Sequence, residues 1–571
     1  MGTRGLKMVR FRGRYYIRYQ QYDSYYECLG AEIVASVPSD PEEYQKWLKS
    51  MRAEYAAKER VLNQHVYEIR DGSKPDYSLF NEFEELPSEL PRLEDCGAEY
   101  FYIINLDREI LTMNFGIHWQ LGNIPRQDDL WIRAIADSIY LDKPTISLDV
   151  CPGEHMASPA LKLPKRNEKI GYGFNIVTPK TDITDKRTVF LTYVLAETLI
   201  VYMDTIIRFG REWSPDSFPF RELTFALVSI ASGQAKFHSF PAYYQSCQSS
   251  GWLDEKWAGD WAPLLEFGSM SHRPGDPPGA SPIETMYWLE DVLVSLTLVV
   301  DGEAITNAVT WGIKQGRTSF QIVVLSLFNV AFAEVLVVDD EPFIQASRQV
   351  NLSPLLAQHC LSTHPRKRPE KKPGMQIQRP CGERIMQSNC TGSVKMLRDH
   401  FPGLVSLVNF FEVAASRRAA SKSPVILPPV NSFEVAASRG AAPKSPVILP
   451  TEMHDRILDF IDYDTWRACL VVSPKFRSYC LHKFRVNDRM SIVAGPFVKY
   501  DKKPRVSHHK QPRLSFDFED TQTGEVFRMT QHFGVGSLIE GNWMPVIGSD
   551  RKALMLEVTV QFGPASAASH V

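Results

Sequence analysis

From His364 to Pro373 the sequence reads HPRKRPEKKP, a run too rich in proline and like charge to enter a packed core, and little periodic apolar pattern returns before Leu449. Such a break divides a chain of 571 residues into a long unit before it and a short one after it. We therefore expect an α+β fold with a large α+β domain over 8–350, a disordered linker over 351–445, a small three-helix unit over 446–488 and an antiparallel β segment over 489–564. Inside the break lies a tandem duplication: FEVAASRRAASKSPVILP from Phe411 recurs as FEVAASRGAAPKSPVILP from Phe433, 22 residues on. Two units are too few to stack as a solenoid, so the repeat reads as a duplicated linker piece. The basic run Arg366, Lys367, Arg368, Lys371 and Lys372 has the composition of a nuclear localisation signal, and equally that of a solvated spacer. Ser423-Pro424 and Ser445-Pro446 are of the kind that proline-directed kinases modify.

Before the break, VRFRGRYYIRY alternates apolar and basic residues about Gly13 and predicts a strand or a hairpin with its arginine side in water. Asp40-Pro41-Glu42-Glu43 is a helix start, and Tyr44, Trp47, Leu48, Met51 and Tyr55 follow at helical spacing. AEYFYIINLDREILTM, Ala98 to Met113, has two apolar arms about a polar tip and reads as a β-hairpin. From Asp182 to about Val350 we expect mainly helix, including buried apolar helices at Thr188 to Phe209 and Phe320 to Val338. Glu197, Asp204 and Glu334 in these runs argue against membrane spans. After Met490, LSFDFED, EVFRM and ALMLEVTVQF predict a closing antiparallel sheet.

A net charge of -3 gives no general attraction for nucleic acid or an anionic membrane, and neither is expected as a partner. Nine cysteines spread from Cys28 to Cys480 without a CxxC pair fit the reducing cytoplasm or nucleus. The start, MGTRGLKMVRF, lacks the apolar core of a secretory signal, and Met8 is an alternative first residue.

The stretch LPTEMHDRILDFIDYDTWRACLVVSPKFRSYC, Leu449 to Cys480, carries three short helix signals. Met453, Ile457 and Ile461 recur at i, i+4 and i+8, with Leu458 widening the stripe. Asp464 is positioned to cap a second helix with Trp466, Cys469, Leu470 and Val471, and Ser473-Pro474 to open a third with Phe476, Tyr479, Cys480 and Phe484. A unit of about 40 residues seldom sustains itself without a staple or a partner. The apolar surplus either enters another protein or packs on the rest of this chain.

This segment resembles an F-box: the LPxE opening, Ile457-Leu458 and Ile461, an Asp-containing turn, Trp466, the Leu470-Val471-Val472 group and Phe476-Arg477. The wider DYDTWRACLVVSPKFRSYCLHKFRVNDRMSIVAGPFV looks like a group of filamentous-fungal F-box proteins. The resemblance implies binding of a Skp-type linker protein, and through it a cullin and RING subunit of a ubiquitin ligase. The chain would then act as an adaptor for a protein substrate that the sequence does not name. By that resemblance Leu449, Pro450, Met453, Ile457, Leu458, Ile461, Trp466, Leu470, Val471 and Val472 form or support the linker-binding face.

The alternative is an enzyme within the first 350 residues, with the F-box-like unit as a tether. Cys28 precedes Leu29-Gly30 at a strand-to-helix junction, where a helix start favours a thiolate. Cys151, Glu154 and His155 offer metal-ligand atoms, but they mix soft and hard donors without a second cluster. His508-His509 lies in a basic loop with Lys502, Lys503, Arg505 and Lys510. GxxxxGK[ST], HExxH and GxSxG are absent, so neither catalytic residues, nor a cofactor, nor a metal is expected.

Overall fold

Strands Gly5–Phe11 and Arg14–Gln20 pair antiparallel about an Arg12-Gly13 turn, where both residues take positive φ and the backbone N–H groups of both donate to Asp107. The computed structural model that shows this describes residues 2–70, 78–84, 87–91, 93, 97–137, 144–183, 185–239, 265–266, 279–357, 381–422, 451–500, 512–529, 542–548, 553–555 and 558–564. It has a mixed α+β architecture. The expected hairpin Tyr100–Asn105 and Ile110–Met113 forms, and its first strand runs parallel to Gly5–Phe11 within a five-stranded sheet.

Both faces of that sheet are covered. Val9, Phe11 and Tyr16 pack with Ile33 of helix α1 (Ala31–Ser36) and with Tyr44, Leu48 and Tyr55 of α2 (Pro41–Arg70). Asp40 caps α2, its Oδ1 accepting from the Glu42 and Glu43 amides at 3.0 Å each. The opposite face, with Leu6, Met8 and Tyr15, joins a larger core. The arginine side is in water only in part: the Arg12 side chain is 64% exposed, whereas Arg10 lies under the next layer, 3.0 Å from Asp107 and 3.5 Å from Glu212. A second layer of protein made this side chain part of an interior ion pair.

After the four-residue α3 (Leu130–Arg133), helices α4 (Lys186–Val201), α5 (Met203–Phe209) and α6 (Phe218–Ala231) fill the centre. Among the described residues no single helix is long and apolar enough to cross a membrane, although the bent pair Lys186–Val201 and Met203–Glu212 has the length and composition together. Phe320 to Val338, expected as a helix, is instead the hairpin Ser319–Leu325 and Asn329–Val338. Its tip is closed by Ser326 Oγ, which accepts from the Phe328 and Asn329 amides. These strands are the middle of a seven-stranded sheet. Helix α7 (Gly302–Lys314) covers one face of that sheet and the central core the other, which removes the polar alternation that would have marked strands.

The expected linker is in part folded. Cys381–Gln387 (α8), Val394–His400 (α9) and Pro402–Lys422 (α10) are helices. Leu404, Val405, Leu407 and Val408 on α10 are wholly buried. A helix covered on all sides has no polar face, so this one showed no amphipathic period. Residues 411–422 of the first copy of the duplication are thus the second half of α10, and its remainder lies outside the described residues. The second copy, and the basic run Arg366 to Lys372, lie outside the described residues.

The expected closing sheet is present, with Met490–Tyr500, Pro512–Asp520 and Val526–Met529 as successive antiparallel strands. It is not a separate segment. Lys236–Ser239 pairs with Asn542–Ile547 and Leu265–Glu266 with Ala553–Leu554, so residues on both sides of the break share one sheet.

Candidate functional site

Three helices occupy 451–482: α11 (Thr451–Phe460), α12 (Tyr463–Cys469) and α13 (Pro474–His482). Asp462, rather than Asp464, caps α12, accepting from the Thr465 amide at 2.7 Å. Ser473 caps α13 as expected, from the Phe476 amide at 3.2 Å, with Pro474 in the first turn.

The unit has an inner and an outer face. Leu458, Tyr463, Trp466 and Cys480 are buried in the central core. Tyr463 stacks on Trp466 with centroids 5.7 Å apart, and Trp466 meets Phe484 edge-on at 5.6 Å. Burial pushes the Cys480 thiol up to about 12, so it serves as an apolar filler. Of the ten residues expected at a partner face, Leu458 and Trp466 are therefore turned into this molecule and can only support such a face. Both side chains join the central core, where Phe484 of the closing sheet supplies the apolar surface that Trp466 meets.

Polar contacts hold the inner face as well. Arg477 donates from Nε to Glu412 Oε1 at 2.9 Å and from Nη2 to Oε2, while Arg187 Nη1 donates to the same Oε2 at 2.7 Å. One carboxylate on α10 thus joins α4 to α13. Arg485 donates to the Ile461 and Leu458 carbonyls, tying the C-terminal end of α11 to the first strand after the helices. Asp488 accepts from the Tyr463 amide and pairs with Lys236 at 2.8 Å.

Outward, Met453 and Ile457 are 46% and 44% exposed, Val472 is 49% and Phe460 90% exposed. Met453, Ile457 and Phe460 stand at i, i+4 and i+7, on one face of α11. Phe460 was absent from the expected face, although that spacing was readable in the sequence. Ile461, Leu470 and Val471 are half-buried, the first two against the core. Leu449 and Pro450 lie outside the described residues.

The residues considered for catalysis stand apart from this unit. Cys28 lies in the single turn Tyr26–Gly30 ahead of α1, as the sequence suggested. Burial raises the Cys151 thiol, which opposes a nucleophilic role. His155 Nδ1 is 2.9 Å from the Asn123 carbonyl oxygen. Among the described residues no three His, Cys, Asp or Glu side chains are grouped to hold a metal. The His508 loop lies outside the described residues. No family model, curated protein or solved structure matches the chain.

Proposed function

We propose that residues 451–482 form an F-box-like docking unit that binds a Skp-type linker protein, so that the chain acts as a substrate adaptor for a cullin-RING ubiquitin ligase. The observation that carries this reading is the two-sided unit, with Met453, Ile457, Phe460 and Val472 bare on its outside while Tyr463, Trp466 and Arg477 anchor its inside. An isolated helix trio would be free to rotate. One fixed by Glu412 and Asp488 presents its outer face in a constant orientation to the rest of the chain, which an adaptor needs if it is to hold a target near a transferring enzyme.

Covering the four outer side chains would contribute roughly 4–7 kcal/mol gross, since three of them are already half covered. A micromolar complex needs about 8 kcal/mol net. The LPxE residues ahead of α11 must therefore contribute too, as the resemblance implies.

The test is a pull-down and titration of the full chain with a purified Skp-type linker, comparing wild type with Ile457→Asp plus Phe460→Asp and with Leu449→Ala plus Pro450→Ala. We expect both pairs to weaken binding at least about tenfold while the melting temperature stays within a few degrees. Undetectable binding by the wild type at micromolar concentration, or equal binding by both variants, would overturn the reading.

A further inference from the structure

Between Ser406 and Val413, α10 leaves a cavity against the seven-stranded sheet. Phe332 and Phe410, with ring centroids 4.8 Å apart, form its apolar wall together with Val177 and Val413. Its volume is about 70 Å³, several times the roughly 10–15 Å³ that one water needs.

Its polar groups converge in type. Ser406 lines the cavity at 2% exposure, and its hydroxyl makes no hydrogen bond among the described residues. A buried hydroxyl left without a partner costs about 1–3 kcal/mol, so a partner inside the cavity would be favoured. Gln345 and Lys180 also line the cavity, as does Ser347, whose hydroxyl is already engaged, accepting from the Phe332 amide and donating to the Arg348 carbonyl at 2.9 Å each. Asn409 donates both amide protons, to the Lys180 carbonyl at 3.0 Å and the Asp182 carbonyl at 2.9 Å, which pins the backbone that carries Lys180. The Glu334 carboxylate in the wall is already engaged by Arg417 at 3.0 Å and Gln321 at 3.0 Å.

A hydroxyl, an amide and an ammonium group beside an aromatic wall suit an anion with a hydrocarbon body. We propose that this cavity binds a small carboxylate with an aromatic or branched aliphatic body, its oxygens toward Ser406, Gln345 and Lys180 and its hydrocarbon against Phe332, Phe410 and Val413. The site stands independently of the docking unit.

The probes are benzoate and 3-methylbutanoate, with benzamide and 3-methylbutanamide as neutral counterparts, titrated calorimetrically into the full chain. We expect one saturable site for at least one acid, with its amide weaker by about tenfold or more. Val413→Phe, which fills the cavity, should abolish the signal. Lys180→Gln, at an exposed position and so safe for folding, should weaken the acid but not the amide. No saturable heat with either acid at millimolar concentration would overturn the proposal, and so would undiminished binding by the Lys180→Gln chain or by a folded Val413→Phe chain.

Discussion

The Glu412 carboxylate receives two hydrogen bonds from Arg477 and one from Arg187, three groups from three stretches of sequence that no local pattern links. Burial pushes this carboxyl up, but the two guanidinium groups outweigh it and hold it below its ordinary value. Such a group stabilises the fold fully above the unfolded value of about 4.3 and loses that contribution as pH falls through its lower, folded value. Glu412→Ala should cost roughly 3–5 kcal/mol in urea unfolding at pH 7, because it leaves two cations buried and uncompensated. The deficit of Glu412→Gln relative to wild type should shrink as pH is lowered below about 4; a deficit constant from pH 7 into the acid range would refute the linkage.

Helix ends were the most legible elements. Asp40 and Ser473 cap the helices the sequence assigned to them, since a cap is a contact within four residues and needs no tertiary partner. Where an element's neighbours decide, the sequence misled: Phe320–Val338 is predominantly apolar whether helix or strand, and the first half of α10 is buried nearly all round. Asp301 makes a local and a distant contact together, capping α7 through the Ala304 amide at 3.0 Å and accepting from the Asn167 amide at 2.8 Å. Asp301→Ala should therefore destabilise by more than the ~1 kcal/mol of a cap alone, measured by denaturant titration. Leu404→Ala, in the buried half of α10, should cost about 2–5 kcal/mol; a loss below 1 kcal/mol would mean that this helix is not part of the core.

At the scale of the whole molecule, residues before and after the break are interleaved. Phe190 of α4 packs on Phe516 and Phe518 of the closing sheet, with centroids 5.5 and 5.9 Å away, and Lys236–Ser239 takes its strand partner from Asn542–Ile547. A chain ending at residue 445 should then be aggregated or largely unfolded by size-exclusion chromatography and circular dichroism, since it would bare that surface. A monomeric, cooperatively melting product would show the N-terminal part to be self-sufficient. The same interleaving took Leu458 and Trp466 out of the candidate face, which no local pattern foretold. Helical spacing brought Met453, Ile457 and Leu458 to notice together, yet Leu458 found apolar surface within the chain and the other two did not.

The sequence by itself determined the class of fold, the helix starts capped by Asp40 and Ser473, the hairpin of Tyr100–Asn105 with Ile110–Met113 and the existence of three short helices with surplus apolar residues, because caps, turns and periodicity are contacts between near neighbours. Only the tertiary structure decided which side of those helices stays bare, that residues 381–422 belong to the core, and that the closing sheet is shared. Each of these depends on what lies across from a side chain, and that neighbour stands outside any local pattern, as Phe484 does for Trp466 and Ala235, 228 positions back, for Tyr463.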